Sequence, residues 1–273
     1  MLIINMNINS LSNQDLFKKY QPLVYLHDEE EVSPISFENY ILECELYSND
    51  KLLLEKNNVK IPLDNNINSY SHKQLNYIGK YTKPNRYTIN YIPIYGKIIK
   101  HLEYIDIVYM FFYPYNKGYK ILGCFSAGEH QADLEYVIIR INKSSQLIDK
   151  IFYSAHGDED QVYSYTDIDF IVNRKTPIVY VAKNSHANYN KPGTYCRIFG
   201  FANDVTTDEN MIVWKSENIV DLDEHTDLLS YDGKLGFDAV DSFNRRKILR
   251  DDMISGQNEN PSCCFRYCLP FME

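Results

Sequence analysis

Gly128-Glu129-His130-Gln131-Ala132-Asp133-Leu134-Glu135-Tyr136-Val137-Ile138-Ile139-Arg140-Ile141 opens as a polar segment and closes as an apolar, β-branched run. The closing half reads as a strand, because Val and Ile fit a pleated, buried surface. The opening half carries one imidazole and two carboxylates at the mouth of that strand. On an extended chain alternate side chains share a face, so Asp133 and Glu135 project together with Cα atoms roughly 6.6 Å apart. His130 is expected in the turn just before them. Two carboxylates and an imidazole, completed by water or amide oxygens, suit a divalent ion such as Ca or Mg, ahead of Mn or Zn. The competing reading is a polar turn whose charges are simply solvated.

Upstream, Ile105-Asp106-Ile107-Val108-Tyr109-Met110-Phe111-Phe112-Tyr113 is apolar on both faces and predicts a central strand ended by a turn at Pro114-Tyr115-Asn116-Lys117-Gly118. Downstream, two apolar runs each lead to a histidine: 150–155 into His156, and 177–182 into His186. If these strands are neighbours with suitable direction, their ends gather His156 and His186 beside His130, Asp133 and Glu135. A histidine at a strand end can equally be a capping or hydrogen-bonding residue.

Nearer the N-terminus, residues 12–20 predict a short helix with capping residues in front and lysines in its last turn. Pro22 stops it, and Leu23–Leu26 makes a compact strand. The acidic run that follows, His27-Asp28-Glu29-Glu30-Glu31, reads as a solvated turn, with a second cation site as the alternative. Phe37 to about Tyr47 has the spacing of a helix with an apolar stripe at Tyr40, Ile41 and Cys44. Residues 48–90 are polar and weakly patterned and read as excursions from the core. Met211–Trp214 predicts a short strand, Tyr231–Gly236 a turn, and Ser242 to about Ile254 a helix.

Of the 273 residues, 44% are hydrophobic, enough for a substantial core. Twenty-four tyrosines with many isoleucines and asparagines favour strands and polar loops, and fit an AT-rich coding genome. The expected fold is mainly β, with some α: an antiparallel β-sandwich with a few peripheral short helices. With 28 basic and 37 acidic residues and a net charge of −9, a general nucleic-acid or anionic-membrane surface is disfavoured. The N-terminus has no convincing signal peptide, and no apolar run approaches the roughly 20 residues of a membrane span. The expected location is therefore cytoplasmic or within a virion. Reduced thiols are expected for Cys44, Cys124, Cys196, Cys263, Cys264 and Cys268. No nucleophile elbow, phosphate loop, dinucleotide fingerprint or H-E-x-x-H helix is present.

Three segments, Tyr20-Gln21-Pro22-Leu23-Val24-Tyr25-Leu26-His27, Gly128 to Glu135, and Ser185-His186-Ala187-Asn188-Tyr189, fall in an order and spacing that resembles the Vps62 family. The resemblance runs from about residue 20 to 240. It implies one domain over 1–273, with 1–12 and 257–273 peripheral. Leu134 stands where the family favours Trp. The central segment is also similar to the heptapeptide of necrosis-inducing NPP1-like proteins, which are β-sandwiches holding a divalent cation. That similarity implies ligands at His130, Asp133 and Glu135, with Asn116 nearest to a further acidic ligand.

Three functions stay open on these grounds. The first is a divalent-cation-binding recognition module with the ion at His130, Asp133 and Glu135, docking a lipid headgroup or glycan. The second is a metal-dependent hydrolase using His156 or His186 as acid or base. The third is a structural or interaction protein, such as a component of a viral particle.

Overall fold

The computed structural model describes residues 8–60, 73–121, 125–155, 161–172, 174–197, 202–225 and 233–236. Helix α1 (Asn13–Tyr20) leads into strand β1 (Leu23–Leu26), and helix α2 (Phe37–Leu42) into β2 (Cys44–Ser48), β3 (Lys51–Leu54) and β4 (Lys73–Tyr77). The long strands follow: β5 (Ile94–Lys100), β6 (Tyr104–Asn116), the short pair β7 (Tyr119–Ile121) and β8 (Phe125–Ala127), then β9 (His130–Asn142) and β10 (Leu147–Tyr153). The chain continues with β11 (Gln161–Ser164), β12 (Phe170–Val172), β13 (Thr176–Val181) and β14 (Asn188–Tyr189). It closes with β15 (Gly193–Arg197), β16 (Ala202–Thr206), β17 (Ile212–Trp214) and β18 (Ile219–Asp221).

The architecture is mainly β, as expected. A six-stranded sheet runs β11-β10-β9-β6-β5-β18, and a five-stranded sheet runs β12-β13-β1-β17 with β14 beside β13. Most pairs are antiparallel; β1 with β13 and β5 with β18 are parallel. Between the two sheets lies the main core: Tyr109, Phe111, Val137 and Ile139 from one side meet Val24, Val179 and Trp214 from the other. Strand β6 buries both faces. Its even-numbered residues Val108, Met110 and Phe112 join a second core roofed by α2 and the small sheet β3-β2-β4. That is why 105–113 reads as apolar throughout rather than alternating.

Helix α1 begins where Ser12 accepts a hydrogen bond from the Asp15 N–H at 3.1 Å, and ends with Lys18 and Lys19 in its last turn. Its Phe17 ring packs so tightly on β5 that a side chain at Gly96 would meet the ring at 2.5 Å. Three expectations are corrected. The helix predicted to Tyr47 stops at Leu42, because Cys44 and Leu46 bury one face of β2 against β4. The polar stretch 48–90 contributes two strands, β3 and β4. Strand β6 does not end at Pro114 but continues to Asn116. The proline, lacking an N–H, lies opposite Ala132, where the ladder skips one pair and resumes at Tyr115 with Gln131.

Cys44 and Cys196 are free thiols. Residues 1–7, Tyr231 and Asp232 of the predicted turn, the predicted helix 242–254, His156, and Cys124, Cys263, Cys264 and Cys268 lie outside the described residues. Among the described residues no helix is long and apolar enough to cross a membrane.

Candidate functional site

His130, expected in the turn, is instead the first residue of β9, and Asp133 and Glu135 lie on the strand as expected. Ala132 has φ +54°, in the left-handed region that costs a non-glycine residue about 1 kcal/mol or more. This kink, facing Pro114, reverses the alternation of both strands together. Gln131 turns outward, its side chain bonding the Tyr77 N–H at 3.0 Å, and Tyr115 stacks on Tyr81 with centroids 4.7 Å apart. Asn116 and His130 are thereby swung to the inner side, where Asp133 lies. Asn116 Nδ2 donates to Asp133 Oδ2 at 3.0 Å, and His130 Nε2 lies 3.8 Å from Asp133 Oδ1.

His186 arrives from the opposite sheet, just beyond the end of β13, itself at φ +57°. It is completely buried, and its Nδ1 lies 2.8 Å from Asp133 Oδ2. On its far side Nε2 faces Glu30 Oε1 at 3.6 Å, an ion pair beyond hydrogen-bonding distance. Its ring lies on that of Tyr113, centroids 3.8 Å apart and planes 2° from parallel. Burial opposes the charged imidazolium, but Glu30 and Asp133 outweigh it and push the His186 pKa up to about 9.

Glu30 corrects the reading of the acidic run as solvated: it is 1% exposed, while Asp28 and Glu29 are exposed. Its carboxylate accepts the N–H groups of Glu31 and Val32, each at 2.8 Å, and of Asn184 at 2.7 Å. Burial works to raise the Glu30 pKa, yet His186 and the Asn184 and Val32 N–H groups hold it below its ordinary value. Glu135 is half-buried and accepts from the Ser154 hydroxyl, which in turn receives Asn188 Nδ2 at 3.1 Å. Burial first, then Glu30, Asp133 and Glu135, push the Tyr113 phenol well above its ordinary value.

Asp133, His130, Asn116 and His186 are thus gathered in one network, while Glu135 bonds to Ser154 and through it to Asn188. Asn116 presents a donor: its Oδ1 accepts the Gly118 N–H at 2.8 Å, and its amide nitrogen faces Asp133 and the Ser185 carbonyl. Gly118, at φ +57°, has no room for a Cβ, which would lie 2.2 Å from the Ala127 carbonyl. Leu134 is fully buried in the outer core and packs there. Glu30, Tyr113, Ser154 and Asn188 carried no separable signal in the sequence. Behind Ser185, buried Asp204 accepts from its hydroxyl, from Tyr119 and Tyr189 at 2.6 Å each, and from Arg197 Nε at 3.1 Å.

Among the described residues, the buried atoms Tyr113 Oη, His186 Nε2, Asn184 Oδ1 and Asn188 Oδ1 have no hydrogen-bond partner. Among the described residues no three His, Cys, Asp or Glu side chains converge tightly enough to form a ready-made metal cage.

The fold and site define a β-sandwich protein with a buried acid–histidine network between its sheets. The chain belongs to the Vps62 family, vacuolar protein sorting-associated protein 62, whose model matches residues 4–230. It is 27% identical over 104 residues to vacuolar protein sorting-associated protein 62 of Saccharomyces cerevisiae, covering 34% of this chain and 22% of that one. The TDA6 protein of the same yeast is 22% identical over 224 residues, covering 66% of this chain and 47% of that one. The chain therefore spans less than half the length of these relatives. Among solved structures, it is similar to necrosis and ethylene inducing protein 2 from the agent of cocoa's witches' broom disease. The TM-score is 0.42 at 14% identity, covering 81% of this chain and 79% of that one. It is also similar to NLPPya in complex with mannosamine, with TM-score 0.43 at 13% identity, covering 78% and 74% respectively.

Proposed function

We propose that the chain is a recognition module whose binding corner takes up a divalent cation between His130, Asp133 and Glu135. The observation that carries this reading is an excess of acceptors around the stacked rings of Tyr113 and His186. Three carboxylates, Glu30, Asp133 and Glu135, stand against one imidazolium, and the amide oxygens of Asn184 and Asn188 are buried without donors. Buried acceptors of this kind need a partner, and a hard cation supplies one to oxygen ligands. Asn116 and His186 would hold Asp133 in place. The ion would supply positive charge to which a glycan hydroxyl or a lipid headgroup oxygen could bind.

The hydrolase reading has less support through His186, its other candidate His156 lying outside the described residues. His186 is enclosed between two carboxylates and the Tyr113 ring, out of reach of a solvent-borne substrate. The test is calorimetric titration of chelator-treated protein with Ca, Mg, Mn and Zn, beside an Asp133→Asn/Glu135→Gln variant. Saturable binding by the parent and its loss in the folded variant is the expected result. A folded parent that binds none of the four ions overturns the reading, as does a variant that binds equally well.

A further inference from the structure

We propose a second binding site, for a phosphorylated polyol, in the cleft between the segment leading into α2 and residues 77–93. The cleft encloses about 540 Å³, within the usual range of small-molecule sites. Pro34, Pro93 and Pro114 line it, and their fixed φ angles hold its shape without a ligand. The walls are tied together by the Ser33 N–H on the Thr82 carbonyl at 2.6 Å and the Ile35 N–H on the Phe112 carbonyl at 3.0 Å.

Charge selects the ligand class. Lys80 and Lys83 line the cleft, both exposed, and no Asp or Glu does. On a chain of net charge −9, two lysines with no carboxylate in the lining make the cleft locally positive, which concentrates small anions. Glu29 and Glu31 feel the Lys83 charge, but each is paired directly with another cation: Lys183 at 2.5 Å and Lys117 respectively. Among the described residues neither cleft lysine has a carboxylate partner within ion-pair distance. Two ammonium groups suit a phosphate as point charges. Tyr91, 68% exposed, adds a ring face, and the Thr82 and Thr88 hydroxyls add donors and acceptors for a polyol.

The test is titration of the full chain, with a chelator in every buffer so that the cation reading plays no part. The probes are glucose 6-phosphate, glucose, and vesicles of phosphatidylcholine with or without phosphatidylglycerol. We expect saturable binding of a phosphorylated probe, none of glucose, and a loss of roughly tenfold or more in a Lys80→Ala/Lys83→Ala variant. Both side chains are exposed, and an unchanged melting curve verifies that the variant folds. Binding of glucose 6-phosphate identifies a soluble ligand, whereas lysine-dependent binding to phosphatidylglycerol vesicles alone identifies a headgroup. Absence of binding to either, equal binding by the variant, or equal affinity for glucose overturns the proposal.

Discussion

His186 lies flat against Tyr113 while its two nitrogens face carboxylates on opposite sides, Asp133 at 2.8 Å and Glu30 at 3.6 Å. The imidazolium is a keystone of charge: it joins β9 of one sheet to the acidic turn that follows β1 of the other, where both partners are buried.

Replacing it exposes that dependence. His186→Leu leaves Glu30 and Asp133 buried without their common cation, and the expected loss is about 3–5 kcal/mol of stability. Trp214, the sequence's single tryptophan and fully buried, gives the fluorescence signal for a urea titration. A loss below about 1 kcal/mol would mean that the network does not depend on the imidazolium.

The same residue sets a pH dependence. His186 rises from an ordinary 6.5 to about 9 in the folded protein, so the folded state holds its proton more tightly than the unfolded chain. Its contribution is complete below about pH 6.5 and is lost as pH rises through about 9, a decline on the order of 3 kcal/mol. Urea midpoints from pH 6 to 9, below the range in which the buried tyrosines ionise on unfolding, in the presence of a chelator, should fall for the parent and fall far less for His186→Gln.

At Ala132 the backbone is the sensitive part. Ala132→Val places a β-branched side chain at φ +54°, and a destabilisation of roughly 2 kcal/mol or more is expected, with weakened cation binding if His130 and Asn116 swing away. Ala132→Gly relieves the strain and should be close to neutral. Equal melting temperatures for the two variants would contradict the kink's role.

Asp204 supports the site from behind. Asp204→Ala strands Tyr119, Tyr189, Ser185 and Arg197 without their shared acceptor, and about 3–5 kcal/mol should be lost. Thermal unfolding of the variant beside the parent measures it.

Three strands of the six-stranded sheet, β6, β9 and β10, were readable because β-branched and aromatic residues fill them, whereas β5, β11 and β18 were not read from the sequence. The helix predicted over 37–47 failed at a specific ambiguity: Tyr40, Ile41 and Cys44 fit a helical stripe, while Cys44 and Leu46 fit alternation equally well, and only the partner strand β4 decides. The motif's carboxylates and His186 were visible as residues, but their meeting was not, since it depends on the sheets facing each other. Glu30 was hidden for a related reason. Asp28, Glu29, Glu30 and Glu31 look alike in sequence, and burial picks out the one whose oxygens meet N–H groups of its own turn and of Asn184. The double reversal at Pro114 and Ala132 needs two strands in register, which neither segment announces alone.

The parallel pairing of β1 with β13 also imposes an order on synthesis. Strand β1 leaves the ribosome early, yet its partners Ile178–Val181 emerge only after the whole six-stranded sheet except β18 has been made. Until then the nascent chain carries an unpaired apolar strand next to an acidic turn, and Glu30 stays in water. Its desolvation is deferred until His186 arrives with the countercharge, so truncated chains ending before β13 should emerge as chaperone substrates rather than as small folded domains.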